Sequence, residues 1–132
     1  MNLVVKPGKV GLGAFATAAF TKGAVIWDWS DHPLFEKPSR ILPEYRFKAI
    51  APGVLTGPIG TDKYPDAYIN HSCTPNSEIL INPPTIHLIA LRDIALDEEV
   101  TFDYATLYER PWSMICSCGT RSCRGTILGK TN

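Results

Sequence analysis

The chain has 132 residues, of which 45% are hydrophobic and 20% are charged, with 13 basic and 13 acidic side chains. This length suits one domain with a single core, and this hydrophobic content excludes a chain that is disordered throughout. Zero formal net charge argues against a broad basic face for nucleic acid. A protein partner or a small ligand is therefore the better expectation.

Eleven prolines and ten glycines divide the sequence into short segments, which predicts many short strands and little helix. Apolar and β-branched runs predict strands at residues 3–5, 11–16, 25–29, 79–81 and 86–91. The best helix candidate is 42–50, with Pro43 in its first turn. Residues 100–104 alternate, which places Val100, Phe102 and Tyr104 on one face. The predicted class is mainly β.

The expected setting is the interior of a cell, in the cytoplasm or the nucleus. No apolar run reaches the length of a membrane span, and residues 1–6 lack the basic-then-apolar layout of a secretion signal. We therefore expect no membrane partner, and we interpret the cysteines as metal ligands or free thiols in a reducing compartment.

The strongest signal that the residues give unaided is the group of four cysteines. Cys116, Cys118 and Cys123 lie in a Gly-rich tail that is too short to bury a core. Four thiolates around zinc would supply the missing folding energy, on the order of 10 kcal/mol in small zinc peptides. The remaining cysteine, Cys73, is then the fourth ligand. The alternatives are two disulfides or four buried free thiols.

Residues 70–76 form a polar cluster directly after apolar Tyr68 and Ile69. Polar groups drawn into a core must be satisfied by the backbone or by a ligand. A turn held by Asx-type bonds is one interpretation. A Ser-His or Cys-His nucleophile pair is another, but neighbours on an extended chain point to opposite faces, which argues against His71 activating Ser72.

The glycines at 11 and 13 either form a turn or let backbone approach a ligand closely. A dinucleotide fingerprint is excluded because residues 14–17 do not open a convincing helix. A tyrosine on a core face, such as Tyr104, needs a hydrogen-bond partner. That requirement alone is also met by an ordinary core tyrosine.

Taken together and in order, these clusters resemble the SET family of protein lysine methyltransferases over nearly the whole chain. Residues 10–16 are similar to its N-terminal glycine motif and 68–76 to its asparagine-histidine motif. Residues 91–94 and 98–104 are similar to its catalytic strand, and 116–125 to its zinc-binding post-SET tail. Three positions depart from the family pattern: Val10 replaces a basic residue, Asp97 a glycine and Tyr68 a phenylalanine.

The resemblance implies a fold of several small sheets, a β-clip with a C-terminal pseudoknot, with a SET-like catalytic domain at 1–110 and a post-SET-like tail at 111–132. It implies S-adenosylmethionine on one face and a substrate lysine entering a channel from the other. The implied catalytic residue is Tyr104, and the implied channel residues are Tyr68, Phe102 and Tyr104. The implied cofactor-binding residues are Gly11, Leu12, Gly13, Phe15, Asn70, His71 and Leu128. The implied zinc ligands are Cys73, Cys116, Cys118 and Cys123.

By the same resemblance, phenylalanine at position 102 favours di- or trimethylation. Three functions follow as hypotheses. The first is methylation of lysines in a protein or peptide, on a histone or another tail. The second is an inactive relative that binds S-adenosylmethionine or a peptide, and the third is a zinc-stabilised structural protein. The presence of Asn70, His71 and Tyr104 favours the first.

Overall fold

The computed structural model describes residues 2–29, 49–51, 54–55, 64–82, 85–106, 113–116 and 118–128. Across these ranges the regular structure consists of short strands and two short 3-10 helices, which confirms the predicted mainly β class. The strands are β1 (Leu3–Pro7), β2 (Leu12–Ala16), β3 (Val25–Asp28), β4 (Ala49–Ala51), β5 (Val54–Leu55), β6 (Asn70–His71), β7 (Ser77–Asn82), β8 (Thr85–Ala90), β9 (Glu99–Phe102), β10 (Ser113–Ile115) and β11 (Thr126–Leu128). The first 3-10 helix is Pro65–Tyr68 and the second is Tyr104–Thr106.

A four-stranded sheet in the order β1-β2-β9-β6 carries most of the predicted site residues. β1, β2 and β9 are antiparallel neighbours. β6 joins β9 in parallel, with Asn70 opposite Thr101 and His71 opposite Phe102. Because side chains alternate along a strand, Asn70 shares a face with Thr101, and His71 shares the core face with Phe102. This pairing brings the two central sequence motifs together.

A three-stranded antiparallel sheet, β3-β8-β7, packs against the same core. β7 and β8 form a regular hairpin around residues 83–84, which lie outside the described part. The prediction for 25–29 is confirmed as a strand that ends at Asp28, and Ile26 and Trp29 are fully buried. Val25 is 43% exposed, so this strand is not buried along its whole length.

The remaining described strands form two hairpins. β10 pairs with β11 in the C-terminal tail, and β4 pairs with β5. Ala49 and Ile50, at the end of the predicted helix, belong to strand β4. Residues 42–48 of that prediction lie outside the described residues, as does the predicted boundary at 110–111. The C-terminal pseudoknot stays a prediction.

One core connects the two larger sheets. Its buried residues include small side chains from β2 and large ones from β3, β8 and β9, and its members are Leu3, Ala14, Ala16, Ile26, Trp29, Ile69, Leu88, Ala90, Ile94, Val100 and Phe102. Asp97, which stands where the family has glycine, has a φ of 66° in the turn before β9. That is the left-handed geometry that aspartate tolerates better than most residues.

In the part of the chain that the structure describes, there is no helix with the length and apolar character needed to span a membrane.

Candidate active site and metal centre

Tyr104 lies just past the end of β9, at the first position of the second 3-10 helix. Its hydroxyl donates a 2.6 Å hydrogen bond to the carbonyl oxygen of Ile69. Its ring packs against that of Phe102, with centroids 5.2 Å apart. Burial, and then the nearby Glu99 carboxylate, raise the pKa of Tyr104 well above its ordinary value. The phenol therefore stays neutral, and its oxygen keeps lone pairs that can accept hydrogen bonds.

Phe102 and Tyr68 are the other predicted channel residues. Phe102 is 1% exposed and belongs to the core, while Tyr68 is half-buried in the first 3-10 helix. Ile69 follows Tyr68 directly and accepts the bond from Tyr104. The structure thus brings Tyr104 to the end of the segment that carries Tyr68, and the channel assignment stays a prediction.

His71 has partners at both ring nitrogens. The backbone N–H of Tyr104 donates to Nδ1 at 2.9 Å, and Nε2 lies 3.3 Å from the Cys73 sulfur. A backbone N–H can only donate, so Nδ1 is the acceptor and the ring proton of neutral histidine is on Nε2. Burial lowers the pKa of His71 and outweighs the opposite effect of the Asp103 carboxylate. Any contact of His71 with a cofactor would then use its backbone.

Asn70 connects β6 to the glycine segment. Its side-chain nitrogen donates to Leu12 O at 2.9 Å and to Glu99 Oε2 at 3.0 Å, and it lies 3.4 Å from Val10 O. Three acceptors thus converge on one amide nitrogen that has two hydrogens. Asn70 and the glycine segment, which the sequence analysis assigned to one site from two separate motifs, are therefore adjacent in the structure.

The two glycines of this segment serve different geometric needs. Gly11 has a φ of 65°, and a Cβ placed there would have open space around it. Gly13 is buried, and a Cβ there would collide with the Glu99 carboxylate and lie 3.1 Å from the Asn70 nitrogen. Leu12, between them, is half-exposed. The segment is therefore open to solvent at Gly11 and tightly packed at Gly13.

Glu99 is a site residue that the sequence analysis did not assign. It pairs with Phe15 across β9 and β2 and bonds to Asn70. Its carboxylate also contributes, after burial, to the raised pKa of Tyr104. The available signal was its place in the Glu98-Glu99 pair at the start of segment 98–104. It adds a carboxylate to the group formed by Asn70 and the glycine segment.

The remaining predicted cofactor residues are accessible. Phe15 is half-buried on β2, and Lys6 Nζ lies 6.0 Å from its ring centroid. Leu128, on β11, is 67% exposed. An apolar side chain this exposed is available to cover a ligand, and its role in cofactor binding stays a prediction.

The four cysteines come together in one cluster. The sulfur atoms of Cys73, Cys116, Cys118 and Cys123 all lie within 4.8 Å of one another. Cys73 and Cys116 are 3.8 Å apart at sulfur, which matches the edge of a tetrahedron with Zn–S bonds of about 2.3 Å. A disulfide would need about 2.05 Å, and all four are free thiols. The donor set and its geometry fit one zinc ion.

Backbone N–H groups point at two of these sulfurs, as expected around thiolate ligands. Arg124 N–H donates to Cys73 Sγ and Cys118 N–H donates to Cys116 Sγ, both at 3.4 Å. The Cys73 sulfur therefore faces both Arg124 N–H and His71 Nε2. Such donors around the cluster can hydrogen-bond to the sulfur ligands of a metal.

The nucleophile interpretation of residues 71–73 is weakened by these contacts. Ser72 Oγ accepts a 3.0 Å bond from Thr74 N–H, an ST-type turn. His71 does approach Cys73, two residues away, but three other sulfurs surround Cys73. A sulfur enclosed by thiols suits a metal better than a nucleophile.

Residues 11–105 match the family model for the SET domain. The chain belongs to the SET-domain family. A histone-lysine N-methyltransferase of Aspergillus fumigatus, H3 lysine-4 specific, is 44% identical over an alignment of 68 positions, which covers 46% of this chain and 5% of that protein. The histone-lysine N-methyltransferase Suv4-20 of Caenorhabditis briggsae is 39% identical over 66 residues, covering 50% of this chain and 20% of that protein.

A more remote relative aligns along almost the whole chain. The histone-lysine N-methyltransferase, H3 lysine-36 specific, of Yarrowia lipolytica is 27% identical over an alignment of 146 positions including gaps, which covers 97% of this chain and 18% of that protein. The chain thus spans only a small part of these curated relatives. The methyltransferase domain of human histone-lysine N-methyltransferase SETMAR shares the fold, with a TM-score of 0.58 and 18% identity over 98% of this chain and 58% of that one.

Proposed function

We propose that this chain methylates lysine side chains of a protein substrate, with S-adenosylmethionine as the methyl donor and zinc as a structural ion. The observation that carries the proposal is the setting of Tyr104. It is a partly buried, neutral phenol that donates its hydrogen to Ile69 O, and the next residue, Asn70, bonds to the glycine segment. The named histone-lysine methyltransferase relatives support the same activity.

The residues around Asn70 suit the amino-acid end of the cofactor. Val10 O, Leu12 O and Glu99 Oε2 converge on a single nitrogen. An ammonium group offers three donors where the amide offers two, so it would satisfy these acceptors more completely. The open space at Gly11 and the exposed Leu128 leave room for a ligand beside them.

When bound, S-adenosylmethionine supplies a methyl group on a cationic sulfur. The residues of the chain must then hold the substrate lysine as a neutral amine, although free lysine has a pKa of about 10.4. An apolar channel beside Phe102 would disfavour the ammonium by desolvation. The Tyr104 oxygen can accept an N–H from the amine and orient its lone pair, so the chain's contribution is chiefly positioning.

Phe102 has no hydroxyl to anchor water or the amine, which leaves room for a methylated nitrogen to turn and favours di- or trimethylation. A histone tail is the proposed substrate class on the names of the relatives, and it would place the chain in the nucleus.

The test is methyl transfer from labelled S-adenosylmethionine to histones and to synthetic lysine tails, read by mass spectrometry. Tyr104→Phe should reduce turnover by about 100-fold, in the range typical of positioned catalytic groups, while S-adenosylmethionine binding is retained. Phe102→Tyr should shift the product toward monomethyl-lysine. Cofactor binding without turnover in the wild type would instead support the inactive-module hypothesis.

A further inference from the structure

We propose that Arg124 is a positioning residue, which fixes the turn that carries Tyr104 against the cysteine tail through an ion pair with Asp103. The role rests on the proposed function, because it assigns Tyr104 the catalytic part. The ion pair joins the tail after Cys123 to the residue directly before Tyr104. No sequence motif announces it, since 21 residues separate its partners.

One oxygen of the Asp103 carboxylate accepts two hydrogen bonds. Its Oδ1 accepts a 2.5 Å bond from Arg124 Nη2 and a 3.0 Å bond from the backbone N–H of Ala105. The second bond caps the 3-10 helix that begins at Tyr104, as short acidic side chains do at helix starts. A shift of the carboxylate would therefore shift the start of that helix.

Arg124 is held at both ends. Its guanidinium meets Asp103, and its backbone N–H donates to the Cys73 sulfur at 3.4 Å. Cys123, the preceding residue, and Cys73 are both in the four-sulfur cluster. A metal in that cluster would fix the backbone of Arg124, so its side chain would reach Asp103 from a rigid base.

His71 makes a second connection between the same two places. It takes the Tyr104 N–H at Nδ1 and faces the Cys73 sulfur with Nε2. Cys73 is thus linked to residue 103 through Arg124 and to residue 104 through His71. These contacts close a ring, and Arg124 is the member that the tail contributes.

Because the ion pair is partly exposed, its role in positioning Tyr104 can be tested separately from a role in global stability. The side chains of Arg124 and Asp103 are 42% and 29% exposed, and exposed ion pairs contribute little to global stability. Loss of the Arg124 charge should therefore leave folding and zinc content intact and loosen only the turn at Tyr104.

The experiment compares Arg124→Ala, Arg124→Lys and Asp103→Asn with the wild type in the zinc-loaded full chain. Arg121→Ala is the matched control, since Arg121 is an exposed arginine of the same tail. Zinc content, amide hydrogen exchange at Tyr104 and Ala105, and kcat and KM for a lysine peptide are measured. Asp103→Asn removes the charge but keeps an oxygen for the Ala105 N–H.

We expect Arg124→Ala to keep its zinc, to exchange the Tyr104 and Ala105 amides about tenfold faster, and to lower kcat about tenfold with little change in KM. Arg124→Lys should restore part of kcat, and the Asp103→Asn/Arg124→Ala double variant should be no worse than the more severe single variant. The proposal would be overturned if Arg124→Ala had the amide exchange rates and the kcat of the wild type, or if the losses of the two single variants were additive in the double variant.

If Arg124→Ala loses zinc, the Asp103→Asn variant provides the test, because it leaves the sequence of the tail intact. A Tyr104 amide exchange rate in Asp103→Asn equal to that of the wild type would then count against the link between Arg124 and the Tyr104 turn. If the wild type transfers no methyl group, the proposed function fails. The exchange measurements then still establish or refute the link between Arg124 and the Tyr104 turn.

Discussion

The side chain of Asn76 forms hydrogen bonds with the backbone of β9 at Thr101 and at Glu99. Its Oδ1 accepts the Thr101 N–H at 2.9 Å, and its Nδ2 donates to Glu99 O at 2.8 Å. Asn76 is 2% exposed, so one buried side chain adds to the pairing of β9 with β2 and β6 along the segment that leads to Tyr104.

Replacing Asn76 with alanine should lower the free energy of unfolding by about 1–3 kcal/mol, because buried backbone groups of β9 lose their partners. Urea denaturation with zinc present measures the change. Asn82→Ala, at the exposed end of β7, is the control and should stay within about 0.5 kcal/mol of the wild type. Equal effects at the two positions would refute the pairing role.

Gly13→Ala should weaken S-adenosylmethionine binding at least about tenfold, equivalent to about 1.4 kcal/mol. The added Cβ would displace Glu99 and crowd Asn70, which together shape the proposed cofactor site. Isothermal titration calorimetry gives the affinity. Gly23→Ala is the control: Gly23, unlike Gly13, has a positive φ that alanine would strain, but its Cβ position is open and touches neither Glu99 nor Asn70. It should be destabilised without a change in affinity.

Zinc removal should abolish methyl transfer before it unfolds the sheets. The core that joins the two larger sheets includes no cysteine among its described members, so chelation should release the tail first. One zinc per chain is expected by metal analysis, and Cys123→Ser should reduce retention. Full activity in chelated, zinc-free protein would break the connection between tail and site.

The carboxylate of Glu98 should contribute stability that is lost in acid. A hydrogen bond from Arg92, chiefly, holds the pKa of Glu98 below the ordinary value of 4.5. The folded state therefore binds this proton less readily than the unfolded state, and the stabilisation is present above pH 4.5 and fades as the pH falls further. Glu98→Gln should lower Tm at pH 7, and the difference from the wild type should shrink toward pH 3. A constant difference would contradict this assignment.

Local sequence patterns predicted much of the framework. The alternation at residues 100–104 correctly predicted that Val100 and Phe102 are buried, because strand periodicity needs only local information. It did not predict that β9 ends at Phe102 and that Tyr104 begins a 3-10 helix. That turn depends on Asp103, whose partners include the distant Arg124.

The cysteine cluster could be predicted, whereas its connections could not. Thiolate chemistry and a short tail led to Cys73 as the fourth member, and the sulfur positions agree with this choice. The contacts of His71 with Tyr104 and Cys73 depend on the parallel pairing of β6 with β9. No residue pattern encodes such a pairing, because it joins segments far apart in the chain.

The sulfur contact between Cys73 and Cys116 spans 43 residues, a stretch that contains β7, β8 and β9. A metal held by this pair closes that stretch into a loop, and closure of a loop removes conformational entropy from the unfolded chain. Zinc added at the start of refolding should therefore speed the appearance of native structure, compared with zinc added at the end. The ion would then act as a folding template as well as a fastener of the finished site.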